Sequence, residues 1–354
     1  MTVPPSPATN EPTEPPVEVL VRETLGAGGA SELAELLPLL TSDLAAVDRR
    51  LQSVLPAEYP QLSAAAVYAC STGGKRVRPL LMAALCRALG SQDTRSIHSL
   101  AAAFQLIHTA SLVHDDVIDH AELRRGRPSM PRAFGLPAAI MTGDYLFVRA
   151  FELAAEYDRD IILRCGESCA SLVEGEILEE ASRFDLTTGR EHYFRVIERK
   201  TAAIVAAGLA SVAQIAGVDR ATIERCAEYG RAVGLAFQIR DDLLDVYGDP
   251  DILGKPLYTD LREGNPTLIS LEAYQRLTGA KKSEFGRTFA LRRKQPGDLL
   301  RLRALTDESG APAIVSAEAR EWAERARRSL DVLPASPWRA LLERIAQGVA
   351  SRRF

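Results

Sequence analysis

Alternating apolar and polar runs of the kind that make half-buried strands are nearly absent from this 354-residue chain. A sandwich, a barrel or an alternating α/β fold is excluded on that ground. No stretch of about 18 or more apolar residues occurs, so no segment is expected to span a bilayer. The five cysteines, Cys70, Cys86, Cys165, Cys169 and Cys226, are scattered without metal-site spacing. Cys165 and Cys169 stand one helical turn apart and no second pair answers them, so all five read as reduced, buried thiols. An excess of cations is also missing: the net charge is −4, which speaks against a nucleic-acid partner. The GAGGAS run from Gly26 to Ser31 has neither the third glycine nor the preceding strand of a dinucleotide loop and reads as a plain loop. No basic start followed by an apolar run appears at the beginning, so no secretory signal is expected.

What is present is a chain with 46% hydrophobic and 25% charged residues, an ordinary globular balance. Met1 to Pro16, rich in Pro and Thr, reads as a disordered tail. From Glu32 onward apolar residues recur at three- and four-residue spacing. The clear runs are 33–55, 77–89, 99–123, 161–184, 193–216 and 222–248, several of them apolar around most of their circumference. Breaks fall at Gly73-Gly74, Gly126 to Pro131, near Gly217 and Gly248 to Pro256. The pattern predicts an all-α protein, one large bundle of long helices over residues 17–354 without an interdomain linker.

Two acidic clusters of the form DDxxD lie inside apolar helical runs: Asp115, Asp116 and Asp119, then Asp241, Asp242 and Asp245. Residues four apart share a helix face, so the first and last Asp of each cluster point the same way. Like charges at that spacing repel, and partly buried carboxylates are costly unless cations compensate them. Carboxylate oxygens without paired His or Cys suit a hard cation. Mg²⁺ held by few carboxylates completes its shell with substrate phosphates. Cations adjoin both clusters. Lys75, Arg76 and Arg78 sit at a helix start, where free N–H groups also favour an anion. Arg124 and Arg125 follow the first cluster, Lys200-Thr201 lies in an apolar stretch, and Lys255 follows the second cluster. Together they outline two phosphate sites, one reached through metal and one through direct cations.

The segments GGKRVRP, HTASLVHDDVIDHAELRRGRP, GDYLF, KTA, FQIRDDLLD and GKP with DLREG occur in the order found in trans-isoprenyl diphosphate synthases. The chain resembles that family, the polyprenyl synthetases, over roughly Leu51 to Pro266. Within the family it is nearest to the medium- and long-chain, solanesyl-type members. The resemblance implies the isoprenoid synthase fold with a central cavity, a homodimer, a cytoplasmic location and Mg²⁺-dependent head-to-tail condensation of isopentenyl diphosphate with an allylic diphosphate. It further implies that Asp115 and Asp119 hold two Mg²⁺ ions and Asp241 a third, with Asp116, Asp242 and Asp245 completing the metal-binding clusters. By the same carry-over, Lys75, Arg78, His108 and Arg125 would bind isopentenyl diphosphate. Arg124, Lys200, Thr201, Gln238 and Lys255 would contact the allylic substrate. The implied catalytic set is Asp115, Asp119, Arg124, Lys200 and Asp241. Metal and cations would stabilise the departing pyrophosphate, the isopentenyl double bond would attack the allylic cation, and a proton would then be lost to pyrophosphate. Tyr258, Asn265 and Pro131 depart from the family's usual Gly, Lys and His. A non-catalytic regulatory subunit of a heteromeric synthase is the alternative of another class, and the intact clusters argue against it. Transient membrane contact would serve release of an insoluble product.

Product length is read from the helix bearing Asp115. Ser111 and Ala110 lie four and five residues earlier, one turn of about 5.4 Å below the metals, and both are small. Ile107 and Phe104 lie deeper and could form a floor. An open level below the metals predicts a product longer than C20, C30 to C45, over the short-chain C15 or C20 alternative.

Overall fold

The computed structural model describes residues 35–71, 76–250 and 256–351. The expected tail, Lys75, the Gly73-Gly74 break and Lys255 lie outside the described residues. The described chain is all-helical apart from one ladder of two residues on each side, Leu123–Arg124 with Arg127–Pro128. It groups into two compact units, each drawn from three stretches of chain. The first comprises the chain up to Cys165, Ser211–Val218 and Pro334–Leu341. The second comprises Gly166–Ala210, Asp219–Leu333 and the residues from Leu342 onward.

The first unit holds α1 (Leu37–Ser53), α2 (Pro60–Ser71), α3 (Val77–Ala88), α4 (Arg95–Ile118), the short α5 (Met130–Phe134) and α6 (Leu136–Ala154). Its centre is α4, where Ala101, Ala102, Ala103, Leu106 and Ala110 have no exposed surface. Pro38, Pro131 and Pro137 each stand in the first turn of a helix, where the missing N–H costs nothing. Pro131, one of the departures from the family pattern, therefore serves as a helix starter. Among the described residues α4 alone is long and apolar enough to cross a membrane, and 78% of its most apolar window is buried in the protein.

The second unit holds most of α7 (Arg159–Ser182), α8 (Gly189–Ile197), a π-helical turn (Glu198–Ala202), most of α9 (Ala203–Ile215), the long α10 (Arg220–Tyr247), and α11 (Thr259–Glu263). It continues through α12 (Leu268–Arg276), α13 (Gly279–Phe289), α14 (Pro296–Ser309) and α15 (Ala311–Ser329) to the larger part, from Leu342, of the final helix α16 (Pro337–Ser351). Asp219 caps α10 by accepting from Thr222 N at 2.8 Å. Gln295 and Asp298 form a capping box on α14. The helices agree with the runs read from the sequence in place, with two exceptions. The run 99–123 ends as helix at Ile118, before the ladder at Leu123. The run 193–216, expected as a single helix, is interrupted by the π turn.

That turn has a steric reason. A Cβ on Gly175 of α7 would lie 2.7 Å from Lys200 N, and one on Gly234 of α10 would lie 2.7 Å from Ala202 Cα. Two glycines thus let two helices close on the backbone of 198–202, an approach no larger residue permits. π turns inside α-helices commonly mark functional positions.

Candidate active site

Each unit carries one of the two acidic clusters. In the first unit, Asp115 and Asp116 lie in the last turn of α4 and Asp119 is its C-cap. Asp115 and Asp119 are half-buried, and Asp116 is only 2% exposed. The Asp116 carboxylate accepts from Arg124 Nε at 2.7 Å, with Arg124 Nη2 2.6 Å from the same oxygen. Burial pushes this carboxyl up from the usual range while Arg124 pulls it back.

Arg124 stands on a tight hairpin. The two residues at its tip, Arg125 and Gly126, have φ of 53° and 73°, the double positive φ of a type I′ turn. The hairpin is clamped from α2: Arg127 lies over the Tyr68 ring at 4.6 Å and donates to Ser71 O, while Tyr68 Oη donates to Pro128 O at 2.7 Å. The RRGRP run therefore forms a built element that projects two neighbouring arginines differently, Arg124 to Asp116 and Arg125 toward a group of cations.

That group comprises Arg78 in the first turn of α3, His108 on α4 and Arg125. Burial first, then the charges of Arg78 and Arg125, hold His108 well below its ordinary pKa, so the imidazole is neutral at pH 7. Burial lowers Arg78 to about 10, and Arg125 adds to the effect. Arg78 Nε is buried and has no hydrogen-bond partner among the described residues. An orphaned buried donor costs about 1–3 kcal/mol, which a bound anion would recover. Beside these groups lies a small cavity of about 20 Å³, lined among others by Arg76, Gln105, Thr109, Asp116, Arg124 and Arg125. Arg76 is already committed to the frame: it bonds Asp48 at 2.9 Å and Cys70 O at 3.1 Å. Ala110, Ser111, Ile107 and Phe104 are all buried on α4, and Ser111 Oγ donates to His108 O at 2.9 Å.

In the second unit the other cluster ends α10. Asp241 is half-buried, whereas Asp242 and Asp245 are 5% and 1% exposed. Asp242 accepts from Gln238 Nε2 at 2.9 Å and from Tyr193 Oη at 2.7 Å. Gln238 Oε1 in turn accepts from Thr201 Oγ1 at 2.9 Å. Burial pushes the Asp242 carboxyl up to about 7. Asp245 accepts from Asp260 N at 3.1 Å, and its carbonyl accepts from Tyr258 N at 2.8 Å, pinning the start of α11. Lys200 pairs with Glu176 at 2.9 Å and Glu179 at 2.5 Å.

Two departures from the family pattern acquire a cause here. Tyr258 has φ 66°, the left-handed region that glycine occupies freely, and its hydroxyl accepts from Arg303 Nη1 at 2.9 Å. Asn265 is buried and donates to Asp260 and Glu263, both at 3.3 Å.

Both clusters thus show one pattern. One or two carboxylates stay half-exposed, while the others are buried and bonded to the protein. Sequence reasoning did not single out Tyr193, whose partner lies 49 residues away. It gave no role to Glu176 or Glu179, although carboxylates one turn apart in an apolar helix were a readable signal for a lone lysine.

An all-helical chain with acidic clusters at helix ends and an anion-seeking cationic pocket belongs to a definable class, enzymes that handle diphosphates with divalent metal. The chain matches polyprenyl synthetase over residues 59–305 and is a member of that family, a prenyltransferase. It is 39% identical over 243 residues to heptaprenyl diphosphate synthase component 2 of Geobacillus stearothermophilus, covering 68% of this chain and 76% of that one. It is 32% identical over 315 residues to the geranylgeranyl diphosphate synthase of Methanosarcina mazei, covering 87% and 95%. Its fold is similar to that of a polyprenyl synthase from Caulobacter crescentus complexed with calcium and isoprenyl diphosphate. That likeness has a TM-score of 0.86 and 35% identity over 91% of this chain and 98% of the other.

Proposed function

We propose that the chain condenses isopentenyl diphosphate with an allylic diphosphate, head to tail and trans, to a product longer than C20, with C30 to C45 favoured. The observation that carries this reading is Arg78 Nε, a buried donor without an acceptor among the described residues, in a group with His108 and Arg125 in the same unit as the first acidic cluster. A diphosphate supplies the missing acceptor. Arg78, His108, Arg125 and Lys75 would take isopentenyl diphosphate. A neutral His108 donates one N–H there without adding to an already crowded positive charge. Arg124, Lys200, Thr201, Gln238 and Lys255 would contact the allylic diphosphate, with Lys200 exchanging Glu176 and Glu179 for phosphate oxygens.

The metal is a divalent cation that we assign as Mg²⁺, three ions in number. Asp115, Asp119 and Asp241, each half-buried, would hold it, and oxygen donors without His or Cys suit a hard cation. Asp116, Asp242 and Asp245 are engaged with Arg124, with Gln238 and Tyr193, and with Asp260, so their part is to hold the frame around those ligands. When bound, the ions would neutralise charge on the departing diphosphate.

The length assignment rests on Ala110 and Ser111, small residues one turn before Asp115. The relatives named above, from geranylgeranyl to heptaprenyl, leave both lengths within reach of the fold. Residues 17–354 would work as one synthase domain, cytosolic and without a nucleic-acid partner, with transient membrane contact on product release. A homodimer is part of the reading: α6 leaves Leu136, Ile140, Met141 and Val148 exposed at helical spacing, an apolar stripe that a second copy would cover.

The test is elongation of labelled isopentenyl diphosphate from geranyl, farnesyl or geranylgeranyl diphosphate with Mg²⁺, followed by chromatography of the dephosphorylated products. Products beyond C20 that vanish with EDTA, and a fall of about 10²–10³-fold in kcat for Asp115→Ala, are expected. A product stopping at C15 or C20 refutes the length assignment, and no elongation by the single purified chain refutes the activity.

A further inference from the structure

Resting on that reading, we infer that Tyr193 is a positioning residue of the allylic-diphosphate site: it fixes Asp242 as the anchor from which Gln238 and Thr201 are aimed. The chain of contacts is continuous. Tyr193 Oη donates to Asp242 Oδ2 at 2.7 Å, Gln238 Nε2 donates to Asp242 Oδ1 at 2.9 Å, and Thr201 Oγ1 donates to Gln238 Oε1 at 2.9 Å. Both carboxylate oxygens are used, one by each neighbour. An acceptor at that place dictates which way the Gln238 amide faces, because only its NH₂ end can donate. One N–H of Gln238 goes to Asp242, and the other is the donor left for a phosphate oxygen. The opposite end of the amide then takes the Thr201 hydroxyl.

Thr201 needs such an anchor because it stands in the π turn Glu198–Ala202, a geometry that rarely persists without outside support. The glycine contacts at Gly175 and Gly234 fix the backbone of that turn from two sides. The polar chain fixes its side chain. Tyr193 is 4% exposed, lies on α8 just before the turn, and packs edge-on against Phe194 at 5.4 Å. Neither its burial nor its aromatic contact requires a hydroxyl. The hydroxyl is explained by Asp242 alone.

The experiment compares Tyr193→Phe with Tyr229→Phe. Tyr229 is a fully buried tyrosine of the same unit whose hydroxyl donates to Leu342 O at 2.8 Å, outside the site. Both variants lose one buried hydrogen bond, so their general destabilisation is matched. Tyr193→Phe is expected to raise KM for farnesyl diphosphate about fivefold to tenfold, the equivalent of one hydrogen bond, while KM for isopentenyl diphosphate stays unchanged. Adding Thr201→Val to Tyr193→Phe should raise it little further. In metal-free protein, amide exchange over 198–202 should speed up about tenfold for Tyr193→Phe and not for Tyr229→Phe. Equal effects of the two variants on exchange, or a parallel rise of both KM values, would overturn the inference. Should the wild-type chain elongate nothing, the proposed activity fails by itself, and the exchange result still decides the role of Tyr193.

Discussion

Replacing Gly234 by Ala tests whether the close approach at the π turn is as tight as the contacts indicate. In an unhindered helix interior the change is favourable by about 1 kcal/mol, since Ala is the better helix former. At Gly234 the new Cβ would meet Ala202 Cα at 2.7 Å and Ala202 Cβ at 3.0 Å, where carbon atoms prefer about 3.5–4.0 Å. The obstacle is backbone inside a packed unit and cannot rotate aside. Overpacking of this kind costs about 1–3 kcal/mol. The balance is a net loss of about 1 kcal/mol, with the 198–202 turn displaced and KM for the allylic substrate raised. Gly297, near the start of α14, is the control: it is exposed and a Cβ there meets nothing within 4 Å. Gly297→Ala should stabilise by about 0.4–1 kcal/mol. Urea unfolding of the three proteins reads both signs. A Gly234→Ala variant as stable as Gly297→Ala, with unchanged KM, would refute the steric account of the π turn.

Ala110→Phe should shorten the product to C20 or below with little effect on condensation rate, by filling the level one turn before Asp115; an unchanged product distribution on chromatography would remove the length assignment. Lys294 is 9% exposed, lies over the Phe184 and Phe289 rings, and is lowered by burial to about 8. The unfolded chain therefore binds its proton more tightly, and stability should rise between about pH 8 and pH 10.5, by about 3 kcal/mol at most. Lys294→Met should flatten that rise and be the more stable protein at pH 7, as denaturation across pH would report.

How far the sequence could be read depended on the range of the interaction concerned. Helix ends were legible where a break acts within a turn of itself, as near Gly217 and at Gly248, and the acidic clusters were legible because their spacing is the helix's own. The π turn was not, because the run 193–216 keeps helical periodicity throughout. Its interruption is imposed by Gly175 and Gly234, distant in sequence and close in space. The same holds for Arg78, His108 and Arg125. Each was visible as a cation or a core histidine, yet the neutral imidazole and the orphaned Nε arise only when burial and mutual charge bring them together.

The two halves of RRGRP show the division most sharply. A hairpin tip at Arg125-Gly126 was within reach of turn chemistry, but the commitment of Arg124 to Asp116 required the hairpin to be clamped by Tyr68. By itself the sequence determined an all-helical prenyltransferase of the polyprenyl synthetase family and the carboxylates of its two clusters, since helix periodicity and motif spacing are local properties. Only the tertiary structure decided which carboxylates remain half-exposed and which are spent on the frame, because burial and hydrogen-bond partners come from residues tens of positions away.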